Sequence, residues 1–173
     1  YDLDVTKELG FNMIRKHVKV EPDRWYYHAD KLGMLVWQDM PSGDMGNRWE
    51  SRPGIIGLAT DKDRTPESEQ VFRTEWKAIM DSKMNFPCIV VWVPFNEAWG
   101  QFKTEEIVHW TMAYDPSRLV NAASGGNFVP VRGKSFPVQV DSFSRSLCVA
   151  AGGTPLYLGV ARPFVTPPDT MHH

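Results

Sequence analysis

The sequence predicts an α/β protein, roughly the first half of a (β/α)8 barrel followed by an irregular C-terminal tail. Three observations predict it. Helical and extended patterns alternate from residue 1 to residue 124, as parallel strands joined by right-handed crossovers require. The connections are lopsided. Helix-to-strand turns are minimal, at Gly10, Gly33, residues 85–87 and residues 115–117, whereas strand-to-helix loops are longer, above all residues 41–65. A barrel gathers its variable loops on that one face. Finally, Cys88-Ile89-Val90-Val91-Trp92-Val93 is an almost uninterrupted apolar run that halts at Pro94-Phe95-Asn96-Glu97. A strand buried on both faces reads this way, and a carboxylate at its C-terminal end stands where such barrels place their chemistry. A flavodoxin-like open sheet shares the alternation, but its glycine-rich phosphate loop after the first strand is missing here. Four strands make half a barrel, so a closed one is expected to need sequence beyond this chain.

Each element has its own signal. Leu3, Val5 and Leu9 among charges mark a helix end, with Gly10 where a terminating glycine belongs. Phe11 to His17 reads as a strand. Glu21-Pro22-Asp23 opens a helix with proline at the first helical position, and Trp25, Ala29 and Leu32, with Tyr26 beside them, form its buried face. Gly33 closes it, and Met34 to Met40 is the next strand. Thr65-Pro66-Glu67 starts a third helix with a stripe of Phe72, Trp76, Ile79 and Lys83, Met80 adjacent. Residues 85–87 break it before the central strand, whose regular part is expected to end at Pro94. Thr104-Glu105-Glu106 is expected to cap a fourth helix that Asp115-Pro116 ends, and Leu119 to Ser124 is one more strand.

Residues 131–173 do not continue the pattern. All seven tryptophans precede residue 131, no Glu follows it, and prolines recur. The expected organisation is therefore 1–130 as the N-terminal half of the barrel and 131–173 as an irregular tail, disordered or read out of frame. Short strands are expected at Val138-Gln139-Val140 and at Leu156 to Val160.

Bulk properties exclude several classes. The 173 residues are 42% hydrophobic and 23% charged, with a net charge of −2, which fits one ordinary domain and points to neither a nucleic-acid nor a membrane partner. Cys88 and Cys148 lack metal spacing. No apolar run reaches the ~18 residues of a membrane helix. Tyr1 is not an initiator residue, so the N-terminus is expected to be cut from something longer.

In a parallel sheet the strand ends converge on one face. That gathers Arg15, His17, Asp39, Asn96 and Glu97, with Trp37 and Trp99, into one pocket. Arg15 and Asp39 have an alternative reading as a scaffold ion pair between adjacent strands. A metal site from His17, Asp39 and Glu97 lacks the usual histidine spacings, so no metal and no cofactor are expected. A nucleophilic serine lacks its Gly-x-Ser-x-Gly elbow. Carboxylate chemistry on sugars fits better, with a Glu on an apolar strand end, tryptophan surfaces and polar groups that bind hydroxyls.

These residues resemble glycoside hydrolase family 2, which includes β-galactosidases, β-glucuronidases and β-mannosidases. Gly10-Phe11-Asn12-Met13-Ile14-Arg15-Lys16-His17 is similar to the family's Gly-x-Asn-x-x-Arg…His segment. Asp30 to Asp39 is similar to its aspartate, glycine, hydrophobic strand and acid. Val93-Pro94-Phe95-Asn96-Glu97 is similar to the Asn-Glu that ends barrel strand four. The resemblance covers roughly residues 1–128 and implies a catalytic TIM barrel domain acting on a β-glycoside with retention. It implies Glu97 as general acid/base and Asn96 as holder of the sugar 2-hydroxyl. It further implies that Arg15 orients the nucleophile and that His17 and Asp39 line the sugar subsite. Trp99, gathered at the same strand-end pocket, is expected to bind substrate as an aromatic surface. The family's Arg-x-x-His-Tyr-Pro is Arg-Lys-His-Val-Lys here, and its Asp-Glu is Gln38-Asp39. Its nucleophile is a later Glu, and no Glu follows Glu106. The polypeptide by itself is therefore expected to be inactive. The alternative is a non-catalytic carbohydrate-binding or relic half-barrel.

Overall fold

A computed structural model of the chain describes residues 1–41, 43, 44, 61, 63–96, 100–124, 146–151 and 154–159. Helix α1 (Asp2–Glu8) buries Leu3 and stops where Gly10 takes φ +85°, a left-handed geometry cheap only for glycine. Strand β1 (Met13–Lys16) follows, then α2 (Asp23–Leu32). Pro22 is the residue before α2, not its first helical residue, because its ψ of 151° is extended. The buried stripe of α2 centres on Tyr26 and Ala29, with Trp25 and Leu32 at its margins. Gly33, at φ +62°, ends it and sends the chain into β2 (Leu35–Asp39).

Helix α3 (Pro66–Lys83) starts as the sequence predicts. The Thr65 hydroxyl accepts the Ser68 amide at 3.2 Å and Pro66 occupies the first turn, where its missing N–H costs nothing. Phe72, Trp76, Met80 and the stem of Lys83 are buried. Strand β3 (Ile89–Val93) reaches Pro94, and pairing then resumes as β4 (Phe95–Asn96). Proline removes one ladder donor and shifts the partner without ending the sheet. Helix α4 (Thr104–Tyr114) begins without the expected cap from Thr104, which is already helical. The Asp61 carboxylate, 43 residues earlier, accepts both the Thr104 amide, at 2.9 Å, and its hydroxyl. The last predicted strand is also split, into β5 (Leu119–Val120) and β6 (Ala123–Ser124).

The main sheet is parallel in the order β1-β2-β3-β5, and β4 pairs with β6 in the same sense. Neighbours in space are neighbours in sequence among these strands. A doubly wound sheet reverses its strand order, whereas a barrel does not. One face of the main sheet, with Val36, Ile89, Trp92 and Val120, packs against the helices, and Phe95 of β4 joins the same core. The other carries Trp37, Val91 and Val93, with Met13 and Leu119 against them. Beyond residue 131, β7 (Ser146–Ala151) and β8 (Thr154–Gly159) form an antiparallel pair. The strand expected at Val138–Val140 lies outside the described residues. Among the described residues no helix is long and apolar enough to cross a membrane.

Candidate active site

The strand ends meet as the parallel sheet requires. Arg15 of β1 and Asp39 of β2 share the face away from the helices. The guanidinium grips the carboxylate at two points, Nε to Oδ1 at 2.9 Å and Nη2 to Oδ2 at 2.6 Å. This charge-assisted fork is the geometry for which arginine suits a carboxylate. The Asp39 side chain is fully buried and that of Arg15 about 30% exposed. The Val18 amide also donates to Asp39, at 3.1 Å. That bond helps hold Val18 at φ +45°, a costly conformation for a β-branched residue.

Arg15 reaches further. Its Nη2 donates to Asn96 Oδ1 at 2.8 Å, and His17 Nε2 lies 3.1 Å from the same oxygen. With one acceptor shared by a guanidinium and an imidazole, His17 Nε2 is the donor and the amide orientation of Asn96 is set. Its oxygen faces the arginine and histidine, and its Nδ2 donors face away from them.

Behind this group lies a brace on the helix side of β2. Buried Gln38 accepts the Tyr26 hydroxyl and donates to the carbonyls of Lys19, at 2.9 Å, and Asp39, at 2.8 Å. The Glu21 amide donates to the Tyr26 oxygen at 3.1 Å. Burial pushes the Tyr26 phenol up to about 12, so it remains a donor. The brace ties the loop after β1 to the end of β2, where the Arg15–Asp39 fork forms. Trp37 is 6% exposed, and its indole N–H has no acceptor among the described residues.

Arg15, His17, Asp39 and Asn96 are thus brought together. The Arg15–Asp39 ion pair is both a link between strands and the support of Asn96. Glu97 and Trp99 lie outside the described residues. Sequence reasoning missed the Gln38–Tyr26 brace, although an amide at a helix-facing position of a buried strand is a usable signal. It also missed Val18, for which the sequence carries none.

The parallel sheet is that of a partial (β/α)8 barrel, and its arginine–carboxylate–amide cluster stands at the strand ends, the rim where enzymes of that fold place their chemistry. Residues 1–146 match the family described as "Glycosyl hydrolases family 2, TIM barrel domain", and the chain belongs to that family. It is 28% identical over 129 residues to a β-galactosidase of Klebsiella pneumoniae, covering 72% of this chain and 11% of that protein. A β-galactosidase of Vibrio cholerae is 26% identical over 125 residues, again 72% of this chain and 11% of its own length. Among solved structures, the β-D-glucuronidase of Dictyoglomus thermophilum superposes with a TM-score of 0.55 at 18% identity, over 73% of this chain and 22% of that one. An uncultured Clostridium sp. β-glucuronidase gives 0.55 at 19%, over 73% and 21%. At these identities the structural matches speak for the fold alone. The chain spans about a tenth of the length of the β-galactosidases it matches.

Proposed function

We propose that this chain supplies the acid/base side of a retaining β-glycosidase site, within a protein whose substrate is a carbohydrate β-glycoside. Glu97 is the general acid/base. It protonates the glycosidic oxygen as the bond breaks, then, as the carboxylate, takes a proton from the water that releases the sugar. Asn96 holds the 2-hydroxyl. The observation that best supports this reading is the state of Asn96, the residue before Glu97. Its oxygen is held by Arg15 and His17, so in this reading a sugar hydroxyl oxygen accepts from the amide nitrogen and does not donate to the amide oxygen, a contact that strengthens in the transition state. Arg15 uses Nε and Nη2 on Asp39 and Asn96, which leaves its Nη1 edge as the part of the fork for the nucleophile carboxylate. His17 and Asp39 line the subsite from behind.

A retaining mechanism needs a second carboxylate ~5–5.5 Å from the first, and no Glu follows Glu106. We assign the nucleophile to sequence outside these 173 residues. The purified 173-residue polypeptide is expected to leave aryl β-glycosides intact. Hydrolysis by it, lost in Glu97→Gln, would overturn the half-site assignment while keeping the acid/base. The acid/base role is tested by titrating the Glu97 carboxyl by NMR in labelled protein. A general acid at neutral pH is expected to titrate near ~6, well above the ~4.3 of an ordinary glutamate. A midpoint at the ordinary value would sink it.

A further inference from the structure

We propose that Arg64 is a positioning residue for this site, fixing Gly100 and thereby the far end of the segment that begins at Asn96. The inference rests on the acid/base reading of Glu97. Arg64 precedes α3 and has no place in the family resemblance, yet two loops and the first turn of α3 meet on its guanidinium. Nε and Nη2 donate to the Gly100 carbonyl at 3.0 and 2.8 Å. Nη2 also donates to the Gly43 carbonyl, in the loop after β2, at 3.0 Å. Nη1 lies 3.3 Å from the Ser68 hydroxyl, which in turn donates to Asp44. The guanidinium sits over two rings, 4.6 Å from the centroid of Phe102 and 5.2 Å from that of Phe72. Among the described residues, the charged groups acting on it include Asp44 and Glu69.

Gly100 is built for the contact. Its φ is +64°, and a Cβ there would lie 2.0 Å from the Gly43 carbonyl oxygen and 2.5 Å from Arg64 Nη2. Only glycine lets the two loops and the guanidinium close together. The other end of the segment is equally fixed. Phe95 stacks on Phe72 at 5.2 Å and meets Phe102 edge-on at 5.7 Å, and Asn96 is held by Arg15 and His17. Phe72 and Phe102 therefore carry both Phe95 and Arg64, and Asn96 and Gly100, the described residues that flank 97–99 in the sequence, are both anchored. Lysine cannot replace the guanidinium, because one ammonium does not reproduce a planar fork stacked between rings.

The test follows the Glu97 carboxyl by NMR titration in the 173-residue chain and in Arg64→Met, Arg64→Lys and Gly100→Ala. Positioning predicts that all three variants lower the Glu97 midpoint by about one pH unit towards the ordinary glutamate value, as the carboxyl gains water. Loss of a nearby cation alone would raise the midpoint in Arg64→Met and spare Arg64→Lys, and that pattern overturns the inference. So does a raised wild-type midpoint that ignores every variant, a result that leaves the acid/base reading standing. An ordinary midpoint in the wild type removes the reading and the inference together. If Arg64→Met does not fold, Gly100→Ala probes the same contact from the opposite side.

Discussion

Asn96 shows how much of a site is decided by which atom of one amide faces which neighbour. Arg15 can only donate, so it turns the amide oxygen towards itself, and His17 meets that same oxygen. The cost lies in burying Asp39, offset by the fork and the Val18 amide. Removing the charge from one member of a buried pair leaves the other poorly compensated. Asp39→Asn is therefore expected to lower stability by about 2 kcal/mol, read as a fall in the urea midpoint at unchanged slope. An unchanged midpoint would mean that Arg15 finds equal company elsewhere. Arg15, His17, Asp39 and Asn96 were legible because strand ends converge whatever the side chains do. Val18 was not. Its left-handed backbone comes from Asp39 reaching back to its amide, a tertiary contact without a local signature.

At the scale of elements, the same kind of non-local contact explains where the capping signals succeed and fail. Thr65 caps α3 from within its own sequence, so Thr-Pro-Glu could be read directly. At α4 the threonine is helical and its cap arrives from Asp61, which no window around residue 104 contains. Asp61→Ala should cost about 1 kcal/mol and speed amide exchange at Thr104 more than at Thr111. Equal protection at both would show that the first turn does not depend on this carboxylate. Pro94 was legible as a break, but not the resumption beyond it, because β4 needs β6 as a new partner. The β7–β8 pair had a readable signal of its own. Gly152-Gly153 between two apolar runs is a hairpin signature, which the surrounding prolines and the change of composition obscured.

Across the whole molecule, the alternation of elements and the lopsided loops conveyed the barrel because they depend on topology more than on any single contact. The opposite end of the sheet from the site is held by one carboxylate whose reach is wider than its sequence suggests. Asp115, at the end of α4, accepts the Trp92 indole N–H at 2.8 Å and an Arg118 Nη1 at 2.7 Å. Trp92 packs edge-on against Trp76 of α3, and Arg118 donates to the carbonyls of Met84, Phe86 and Ile89. Asp115 thus joins α3, β3, α4 and β5. Burial works to raise its carboxyl, but the donors Ser117, Trp92 and Arg118 prevail and bring it down from 3.8 to about 2. A carboxylate depressed by folding stabilises the folded state fully above its unfolded value, and the contribution fades as pH falls through the folded value. Here the window runs from 3.8 down to about 2, and the contribution is about 2 kcal/mol. Asp115→Asn should lie below the wild type by at least this amount at pH 7, and the gap should narrow by about 2 kcal/mol between pH ~4 and ~2. Urea unfolding at a series of pH values reads the gap directly. A gap that stays constant to pH ~2 would mean that the carboxyl is already protonated, or bonded without its charge, in the native chain.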